Sequence, residues 1–455
     1  RDRNYDGVYD ESLVFADQLF WPTALFPYDG GWYVVDAPDV LFLRDTNGDG
    51  VADQREIVLT GLGTQNVQGL ANSFRWGLDN RIHLACSSNS GRVYRPADGP
   101  EAALELRGRD LALDPRTGQW ELTGGAAQHG MAFDDWGRKF VCANSDHLQQ
   151  VIYEDRYLAR NPHVLAAPSR ISIADDGPQA EVFRISPVEP WRILRTRLRV
   201  SGVVGGPIEG GGRAAGYFTG ATGVNIYRGD AYPSSWRDAT GAESVAVVGD
   251  VGGNLVHRKQ LRRVGLQQVG TRLDQQSEWV ASRDVWFRPA QFENGPDGAL
   301  HVIDVYREVI EHPHSLPPEI KRHLDLNSGR DRGRLYRVVP PEFQHRRTPQ
   351  LRDLDSEELV RLLEHPNAWQ RETAARLLYS RQDQRVRSEL ETMVVHSESA
   401  VGRLHALYAL SGMDGLSPPI ILAGMRDAHD QVRRHAVRLA ERLAEIGRAS
   451  CRERV

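Results

Sequence analysis

The chain has 455 residues, a formal net charge of −5 and a hydrophobic fraction of 40%. This length allows two or three domains with a large buried core. The negative balance provides no basic surface for nucleic acid, and no apolar run is long enough to span a membrane. The three cysteines form no C-x-x-C or C-x-x-C-H motif, so no zinc knuckle or haem attachment site is predicted in these residues.

A degenerate acidic loop opens the chain. Its alternating positions follow the spacing of a calcium loop and are Asp2, Asn4, Asp6, Gly7 and Asp10. The twelfth position of that pattern needs a bidentate carboxylate, and here it is Leu13. An ordinary turn is therefore favoured over a metal site for this copy.

A complete copy of the calcium pattern follows at residues 45–56. It fits D-x-[DN]-x-[DN]-G-x5-E at every specified position. The expected oxygen ligands are Asp45, Asn47, Asp49, the carbonyl of Val51, Asp53 through water, and both oxygens of Glu56. Short β-rich runs flank the loop, so we expect a Ca²⁺ ion that stabilises a hairpin between two strands. The alternative is an acidic turn without metal.

Residues 1 to about 340 have an all-β pattern. The recurring unit is an apolar stretch, a turn with Asp and Gly or Asn, and an alternating strand. It occurs at residues 29–35, 76–84, 133–141 and 295–302. The first three turns are roughly 50–57 residues apart and the last gap holds about three periods, so further units are expected near 180–198 and 221–258. This predicts a β-propeller of about six blades, with an irregular pair of β-sandwiches as the alternative.

A glycine-rich segment lies at residues 202–216. It contains Gly205, Gly206, Gly210, Gly211 and Gly212. The strand-then-helix context of a phosphate-binding loop is missing, so a flexible surface loop is favoured.

Helical periodicity replaces the β pattern after a linker at residues 341–352. Within residues 353–444, segments starting at 368, 400 and 431 align at a spacing of 31–32 residues, with Arg371, Arg403 and Arg434 in register. Such repeats bury their apolar faces only by stacking on neighbours, and they resemble HEAT repeats. They would act as a scaffold or bind a partner protein.

Both ends of the chain suggest a truncated gene product. The chain starts with Arg1 inside the degenerate acidic loop, and residues 445–455 resemble a translated sequencing-library adapter. We expect residues 445–455 to be an artefact rather than part of the fold. A signal peptide would have been lost, so its absence does not bear on location.

A dense set of motifs resembles a known family. The motifs include Trp286-Phe-Arg-Pro289, Gly295-Pro-Asp-Gly-Ala-Leu300, Asp331-Arg-Gly-Arg-Leu-Tyr-Arg337 and the segments 133–138, 221–229, 254–258 and 304–313. Together they resemble the planctomycete-type membrane-bound dehydrogenase family over residues 1 to 444. In that family, a propeller similar to quinoprotein glucose and sorbosone dehydrogenases precedes HEAT-type repeats and a haem c domain.

The resemblance implies a function and a location. It implies an oxidoreductase that uses pyrroloquinoline quinone (PQQ) or a similar quinone, oxidises a sugar or alcohol, and passes electrons to a haem c domain missing here. It also implies a periplasmic or exported location, with membrane association left open. The alternative is a non-catalytic scaffold that binds a polysaccharide or a protein, with no nucleic acid partner in either case.

Quinone chemistry needs a base for the substrate hydroxyl and cations for the cofactor carboxylates. Where related propellers carry a histidine, this chain has Gln68 or Gly69, so His129 is the candidate base. The candidate cofactor-binding residues are Arg258, Arg288, Asp304, Tyr306, Arg307 and His312. The alternatives are a loop histidine, arginines in salt bridges, and a hydrogen-bonded closure of the last blade.

Overall fold

The structure is a computed structural model. It describes the chain except residues 1, 5, 7, 162, 164–166, 238–242 and 453–455, and except the side chains of 159 and 442–452. Five sheets are built from described residues between 22 and 338, and helices dominate from residue 356 onward. No helix in these described parts has the length and apolar character needed to cross a membrane.

The first ten strands form two sheets. They are β1 (Pro22–Tyr28), β2 (Gly31–Asp36), β3 (Asp39–Arg44), β4 (Gln54–Leu62), β5 (Asn72–Trp76), β6 (Ile82–Ala85), β7 (Gly91–Tyr94), β8 (Leu104–Glu105), β9 (Asp110–Asp114) and β10 (Gln119–Thr123). Blade 1 has the order β1-β2-β3-β4-β7-β8, and blade 2 has the order β10-β9-β6-β5. The β7–β8 hairpin thus extends blade 1, although it lies between strands of blade 2 in the sequence.

Three further sheets complete the β region. Their strands are β11 (Met131–Phe133), β12 (Lys139–Ala143), β13 (Asp146–Val151), β14 (Arg170–Ser172), β15 (Ala221–Tyr227), β16 (Ser244–Asp250), β17 (Leu255–Val264), β18 (Gln267–Arg272), β19 (Val280–Ala281), β20 (Pro289–Asn294), β21 (Leu300–Asp304) and β22 (Arg334–Val338). Blade 3 contains β11–β14, blade 4 contains β15–β18 with β19 beside β17, and blade 5 contains β20–β22.

The first strand of each blade lies nearest a common axis. Strand β5 contacts both β1 and β11, while β15 contacts β11 and β20. Arg75 of blade 2 reaches across to Glu293 of blade 5, with 2.5 Å between Nη1 and Oε1. Burial raises the pKa of the Glu293 carboxyl and the nearby Arg75 opposes this, while 51% of the Glu293 side chain remains exposed. These contacts confirm a β-propeller.

The described residues form five blades instead of the expected six. The unit expected near 221–258 is present as blade 4. The one expected near 180–198 is instead helix α2 (Pro190–Val200). Proline fits the first turn of a helix, and Trp191, Arg192 and Arg195 fall on one buried helical face, so helical periodicity overrides the 50-residue repeat here.

Helices α1 (Asp155–Ala159) and α3 (Pro318–Lys321) are short insertions in the propeller. The C-terminal region then forms three antiparallel helix pairs. They are α4 (Ser356–Leu362) with α5 (Ala368–Arg381), α6 (Arg387–His396) with α7 (Ala400–Gly412), and α8 (Pro418–Met425) with α9 (Asp430–Arg452). Adjacent pairs stack through α5, α7 and α9, around a core that includes Leu378, Leu407 and Leu439. The predicted helical region is confirmed, while its HEAT-type classification stays a prediction.

The repeat register differs at one arginine. Arg371 donates from Nη1 to the carbonyls six and five residues earlier, and Arg403 does the same. The third residue with this contact is Arg433, which donates to the carbonyls of residues 427 and 428. The expected Arg434 instead donates to the carbonyl of Trp136 in blade 3. The sequence alignment therefore placed the arginine of the third repeat one residue too late, because residues 433 and 434 are both arginine.

The helical region docks on the turns that follow the inner strands. Asn80 Nδ2 donates to the Tyr408 carbonyl over 2.9 Å, and Asn367 Nδ2 donates to the Gly295 carbonyl over 3.0 Å. On blade 1, the Pro27 carbonyl accepts a bond from α5. Four of these turns belong to the repeat units identified in the sequence. The helices thus cover one end of the propeller axis, which we call the helix end.

An ion-pair group lies at the centre of this interface. Asp135, in the turn after β11, accepts a hydrogen bond from Arg371 and lies 3.4 Å from Arg228 Nη1. Arg228 also binds Glu372 of α5, at 2.5 Å between Nη2 and Oε1. Burial raises the pKa of Asp135, but the two guanidinium groups outweigh this and hold it below its usual value. Asp135 is therefore charged in the folded protein.

We predict that Asp135→Asn lowers the free energy of unfolding by about 3 kcal/mol, because it leaves buried arginines without their anion. Urea unfolding followed by far-UV circular dichroism measures this. The matched control is Asp353→Asn, whose carboxylate is 70% exposed and which should change stability by less than about 0.5 kcal/mol. Equal midpoints for Asp135→Asn and the unmodified protein would contradict the prediction.

Candidate functional site

The opposite end of the axis, where the inner strands begin, is formed by loops, and we call it the loop end. Inner strands of four blades carry register shifts at their first residues, between 22 and 24, 72 and 74, 222 and 225, and 289 and 291. Such bulges are common beside functional sites because they redirect side chains. At the second bulge, Ser73 has a φ of 53°, which is unfavourable for a non-glycine residue, and it is almost fully buried. The loop end therefore combines local strain with polar residues.

A set of polar residues, which we call the axial cluster, meets at the loop end. Its members come from blades 2 to 5 and are Asn72, Ser73, Gln128, His129, Thr222 and Gln291. Gln291 Nε2 donates to Ser73 Oγ over 2.5 Å, and Ser73 Oγ donates to Asn72 Oδ1 over 3.0 Å. Asn72 Nδ2 in turn donates to the Gln128 carbonyl over 3.0 Å. One hydrogen-bonded chain thus links inner strands across the axis.

His129 lies two residues before β11 within this cluster. Its backbone is fixed because its carbonyl accepts bonds from Gly223 N at 2.5 Å and Thr222 Oγ1 at 3.1 Å. Burial lowers the pKa of the imidazole to about 4, and a hydrogen bond with Asn144 opposes that effect. His129 is therefore neutral at pH 7, which is the form that accepts a proton or a hydrogen bond.

Gln68, at the position where the resemblance leads one to expect a histidine base, tethers two loops. Its Nε2 donates to the Ile310 carbonyl over 3.1 Å, and its backbone N–H donates to Asn66 Oδ1. Gly69 is buried, and a Cβ there would lie 2.5 Å from Ser88 Oγ. This segment therefore holds the loop end together without supplying an ionisable group.

Arg288 is fully buried just before β20. Its Nε and Nη1 donate to the carbonyls of Arg307 and Val251, and Nη2 donates to Glu189 Oε1 at 3.1 Å and to the Glu308 carbonyl. Burial would raise the pKa of Glu189, but Arg192 and Arg288 hold it below its usual value. Protein acceptors thus occupy Arg288, which braces the loops instead of presenting a cation to a ligand.

Three further cofactor candidates, Asp304, Tyr306 and Arg307, lie at the end of β21 and just after it, close to Arg288. Asp304 Oδ1 accepts the backbone N–H groups of Arg288 and Tyr306, both at 2.8 Å. Burial raises the pKa of Asp304. Tyr306 packs against Trp286, and Arg307 donates from Nη1 to the Asn327 carbonyl.

Two other candidates have local structural contacts. His312 caps a short turn, with its Nδ1 accepting the N–H of His314. Arg258, on β17, forms a bidentate pair with Asp274 at 2.7 and 2.9 Å and lies over the Trp236 ring. The structure therefore does not bring Arg258 together with the residues around Arg288.

The acidic loop at 45–56 joins β3 to β4, as the sequence predicts. Asp45 Oδ1 and Oδ2 accept the N–H groups of Gly48 and Gly50, at 2.7 and 2.8 Å. Asp49 Oδ1 accepts the N–H of Val51 at 2.8 Å, and Asp53 Oδ2 accepts a bond from Thr46 Oγ1 at 2.6 Å. These oxygens suit calcium as ligands. In this structure they accept hydrogen bonds from N–H and O–H groups of the turn itself.

The other metal candidates add no assembled site. Asn47 Oδ1 accepts the Asp49 N–H, and Glu56 lies on β4 opposite Phe42. Within the described ranges, no three His, Cys, Asp or Glu side chains are grouped closely enough to hold a metal ion. In the degenerate loop, Asn4 and Asp6 bond to each other, and Gly7 lies outside the described residues.

Sequence reasoning missed most of the axial cluster. Asn72, Thr222 and Gln291 were not singled out, because a polar residue at the start of a strand is common in any β protein. The available signal was positional: each lies within three residues of the start of an inner strand. That signal becomes visible only once the inner strands are known.

Inner strands around one axis and stacked helix pairs define a β-propeller protein with a C-terminal helical region. The chain belongs to the family described as a domain of unknown function, DUF7133, whose family model matches residues 1–342. A comparison with curated proteins finds no match.

Three solved structures illustrate the matches to this chain. A luciferin-regenerating enzyme is 10% identical, with a TM-score of 0.38 over 72% of this chain and 80% of that chain. A glucose dehydrogenase is 15% identical, with a TM-score of 0.31 over 64% of this chain and 94% of that chain. A Thermus thermophilus protein described as a putative oxidoreductase (glucose dehydrogenase) is 14% identical, with a TM-score of 0.25 over 63% and 91%. At these scores the fold assignment rests on the chain's own sheets.

We predict that the His129 imidazole stays neutral until the pH falls to about 4. The unfolded chain takes up this proton near pH 6.5, so this group's contribution to stability is present above 6.5 and is lost as the pH falls towards 4. NMR of ¹⁵N-histidine-labelled protein, assigned with His129→Gln, measures the titration directly. A His129 midpoint near 6.5 would contradict the burial of this side chain.

We also predict that calcium stabilises the hairpin between β3 and β4. Millimolar CaCl₂ should raise the melting temperature by a few degrees, and Asp49→Ala should abolish the shift, because it removes a central oxygen ligand. The control is Asp331→Ala, whose carboxylate is 78% exposed and lies outside the loop. The metal interpretation fails if calcium leaves the melting temperature unchanged, or if Asp49→Ala melts like the unmodified protein at every calcium concentration.

Proposed function

We propose that this protein is an exported oxidoreductase that oxidises a sugar or alcohol at the loop end of its propeller, with a quinone as hydride acceptor and a haem c domain as electron partner. The observation that carries this proposal is the neutral His129 within a polar cluster contributed by four blades. The helical region covers the other end of the axis. A small hydroxylated substrate is therefore expected to enter at the loop end.

The residues of this site have separate roles in the proposal. The neutral imidazole of His129 would take the proton of a substrate hydroxyl while hydride leaves the carbon that bears this hydroxyl, for the acceptor that a bound quinone would supply. Gln291 Oε1 is buried and has no hydrogen-bond partner within the described residues, so it can accept a bond from a second hydroxyl. Asn72 and Ser73 hold Gln291 in place through the hydrogen-bonded chain. A low pKa makes His129 a weak base. Turnover should therefore be faster for substrates whose hydroxyl is held close to the His129 imidazole.

The predicted cation set fits a quinone poorly. Arg258 is paired with Asp274, and Arg288 donates to Glu189 and three carbonyls. Neither is placed to bind the carboxylates of PQQ. Arg307 is half-buried and remains the candidate cation beside the site. A quinone, when bound, would supply the hydride acceptor, and the residues of the axial cluster would bind and orient the substrate.

A non-catalytic binding module is the second candidate. It is favoured by Gln68, which occupies the expected position of the base and forms a structural tether, and by the internal pairing of both candidate arginines. In this case, the axial cluster would bind hydroxyl groups of a polysaccharide through Asn72, Gln128 and Gln291, and the stacked helices would serve as a scaffold for protein partners. Binding of hydroxylated ligands without turnover would distinguish this function.

We predict dye-linked oxidation of at least one sugar or alcohol by the protein loaded with PQQ and calcium. His129→Gln should reduce kcat by about 10²- to 10⁴-fold, the usual contribution of a positioned base. The matched control is His163→Gln, which removes an exposed histidine and should leave kcat unchanged. Retained turnover in His129→Gln would remove the proposed base. Failure of the folded protein to bind PQQ or to turn over would favour the binding module.

A further inference from the structure

Helix α2 and the glycine-rich segment enclose a pocket beside the propeller. The enclosed space is about 10 Å³, and the rest of the pocket opens to solvent. Its polar lining includes Arg192, Arg195, Arg199 and Arg213, with Glu209 as the acidic residue among the described lining side chains. Apolar atoms of Ile208 and Tyr217 complete the walls. A space of this size admits one small polar group of a ligand, with the rest of that ligand at the mouth.

Three of these arginines have buried donors without partners. Arg192 Nη2, Arg195 Nε and Arg199 Nε are inaccessible and have no hydrogen-bond acceptor among the described residues. Arg192 is 3% exposed and Arg195 is 6% exposed, so water does not readily replace the missing acceptor. A buried guanidinium donor without an acceptor is unfavourable, which favours a ligand that supplies acceptor atoms.

The positive charge is only partly balanced. Glu311 lies 2.8 Å from Arg195 Nη1 and 3.9 Å from Arg192 Nη1, and Glu189 accepts from Arg192 Nε at 3.3 Å. Arg199 Nη2 donates only to a neutral acceptor, the Ser315 carbonyl, among its described contacts. Burial, followed by repulsion from Arg195, lowers the pKa of Arg199. An additional anion would relieve this repulsion.

The glycine-rich segment is shaped around the arginines. Gly206 has a φ of 134°, and a Cβ there would lie 2.6 Å from Arg199 Nε. Gly210 has a φ of 54°, and a Cβ there would overlap the Tyr217 ring. At these two positions the loop needs glycine to pass over the neighbouring side chains, and most of the segment is exposed, as expected for a surface loop.

We propose that this pocket binds a small organic anion through a carboxylate or phosphate group held by Arg192, Arg195 and Arg199. Guanidinium groups match the geometry and charge of both oxyanions, and Arg213 is exposed at the mouth, where it would contact the rest of the ligand. Ile208 and Val200 provide an apolar surface for the ligand's carbon skeleton. The site is separate from the axial cluster and does not depend on the proposed oxidation.

Calorimetric titration of the full chain with citrate and with inorganic phosphate, at constant ionic strength, tests this site. We expect saturable binding of at least one probe. Arg199→Gln should weaken it about tenfold or more, because it removes a charge-assisted hydrogen bond. Arg197→Gln is the matched control: it removes the same charge from an exposed position on the same helix and should change affinity less than about twofold. Arg213→Gln, at an exposed position, provides a second variant if Arg199→Gln does not fold.

The probes distinguish the ligand class. Binding of citrate alone indicates a carboxylate ligand, binding of phosphate alone indicates a phosphoryl ligand, and binding of both indicates a general oxyanion site. The proposal is wrong if the folded protein binds neither probe, if Arg197→Gln weakens binding as much as Arg199→Gln, or if neither Arg199→Gln nor Arg213→Gln changes the affinity. Because no turnover is measured, these results do not depend on whether the protein is an oxidoreductase.

Discussion

The ion pairs between Asp135, Arg228, Arg371 and Glu372 are the constraint on which the arrangement of this protein depends. They join the turn after one inner strand to the end of another and to the first long helix of the C-terminal region. Breaking a buried pair leaves an unpaired charge, so the two parts of the chain are stabilised as a unit. His405 lies beside this group, and burial, followed by the charge of Arg371, lowers its pKa to about 3. The centre of the interface therefore contains the charged carboxylates and guanidinium groups of these ion pairs, with the neutral imidazole of His405 beside them.

Closure of the helix end assigns different roles to the two ends of the propeller. The turns at the helix end carry the repeated Asp-Gly pattern, and their polar groups are used for docking, as Asn80 and Asp135 show. At the loop end, bulges and the strained Ser73 direct polar groups towards the axis, and α2 adds a group of arginines nearby. Chemistry and ligand binding are therefore expected at the loop end, while the helix end provides stability.

The sequence predicted those features that depend on local pattern. The repeated turns predicted the propeller, and the proline pair with the helical periodicity after it predicted the change to helices. The acidic loop was correctly predicted to join two strands, which are β3 and β4. It could not give features that depend on distant contacts. Arg258 and Arg288 were expected at a ligand, but Asp274 and Glu189, 16 and 99 residues away, bind them. The axial cluster draws residues from four blades, so no short motif encodes it, and α2 replaced a blade because a repeat length does not specify secondary structure.

The most direct test of this account is NMR of ¹⁵N-histidine-labelled protein during titration with a panel of sugars and alcohols. The account predicts that the His129 resonance shifts saturably with at least one ligand, while His405 and His435, buried at the helix end, keep their positions. Shifts confined to His405 and His435 would contradict it, because they would place ligand binding at the end that the helices cover. An unchanged His129 signal across the whole panel would contradict it too, since the neutral imidazole would then face no substrate.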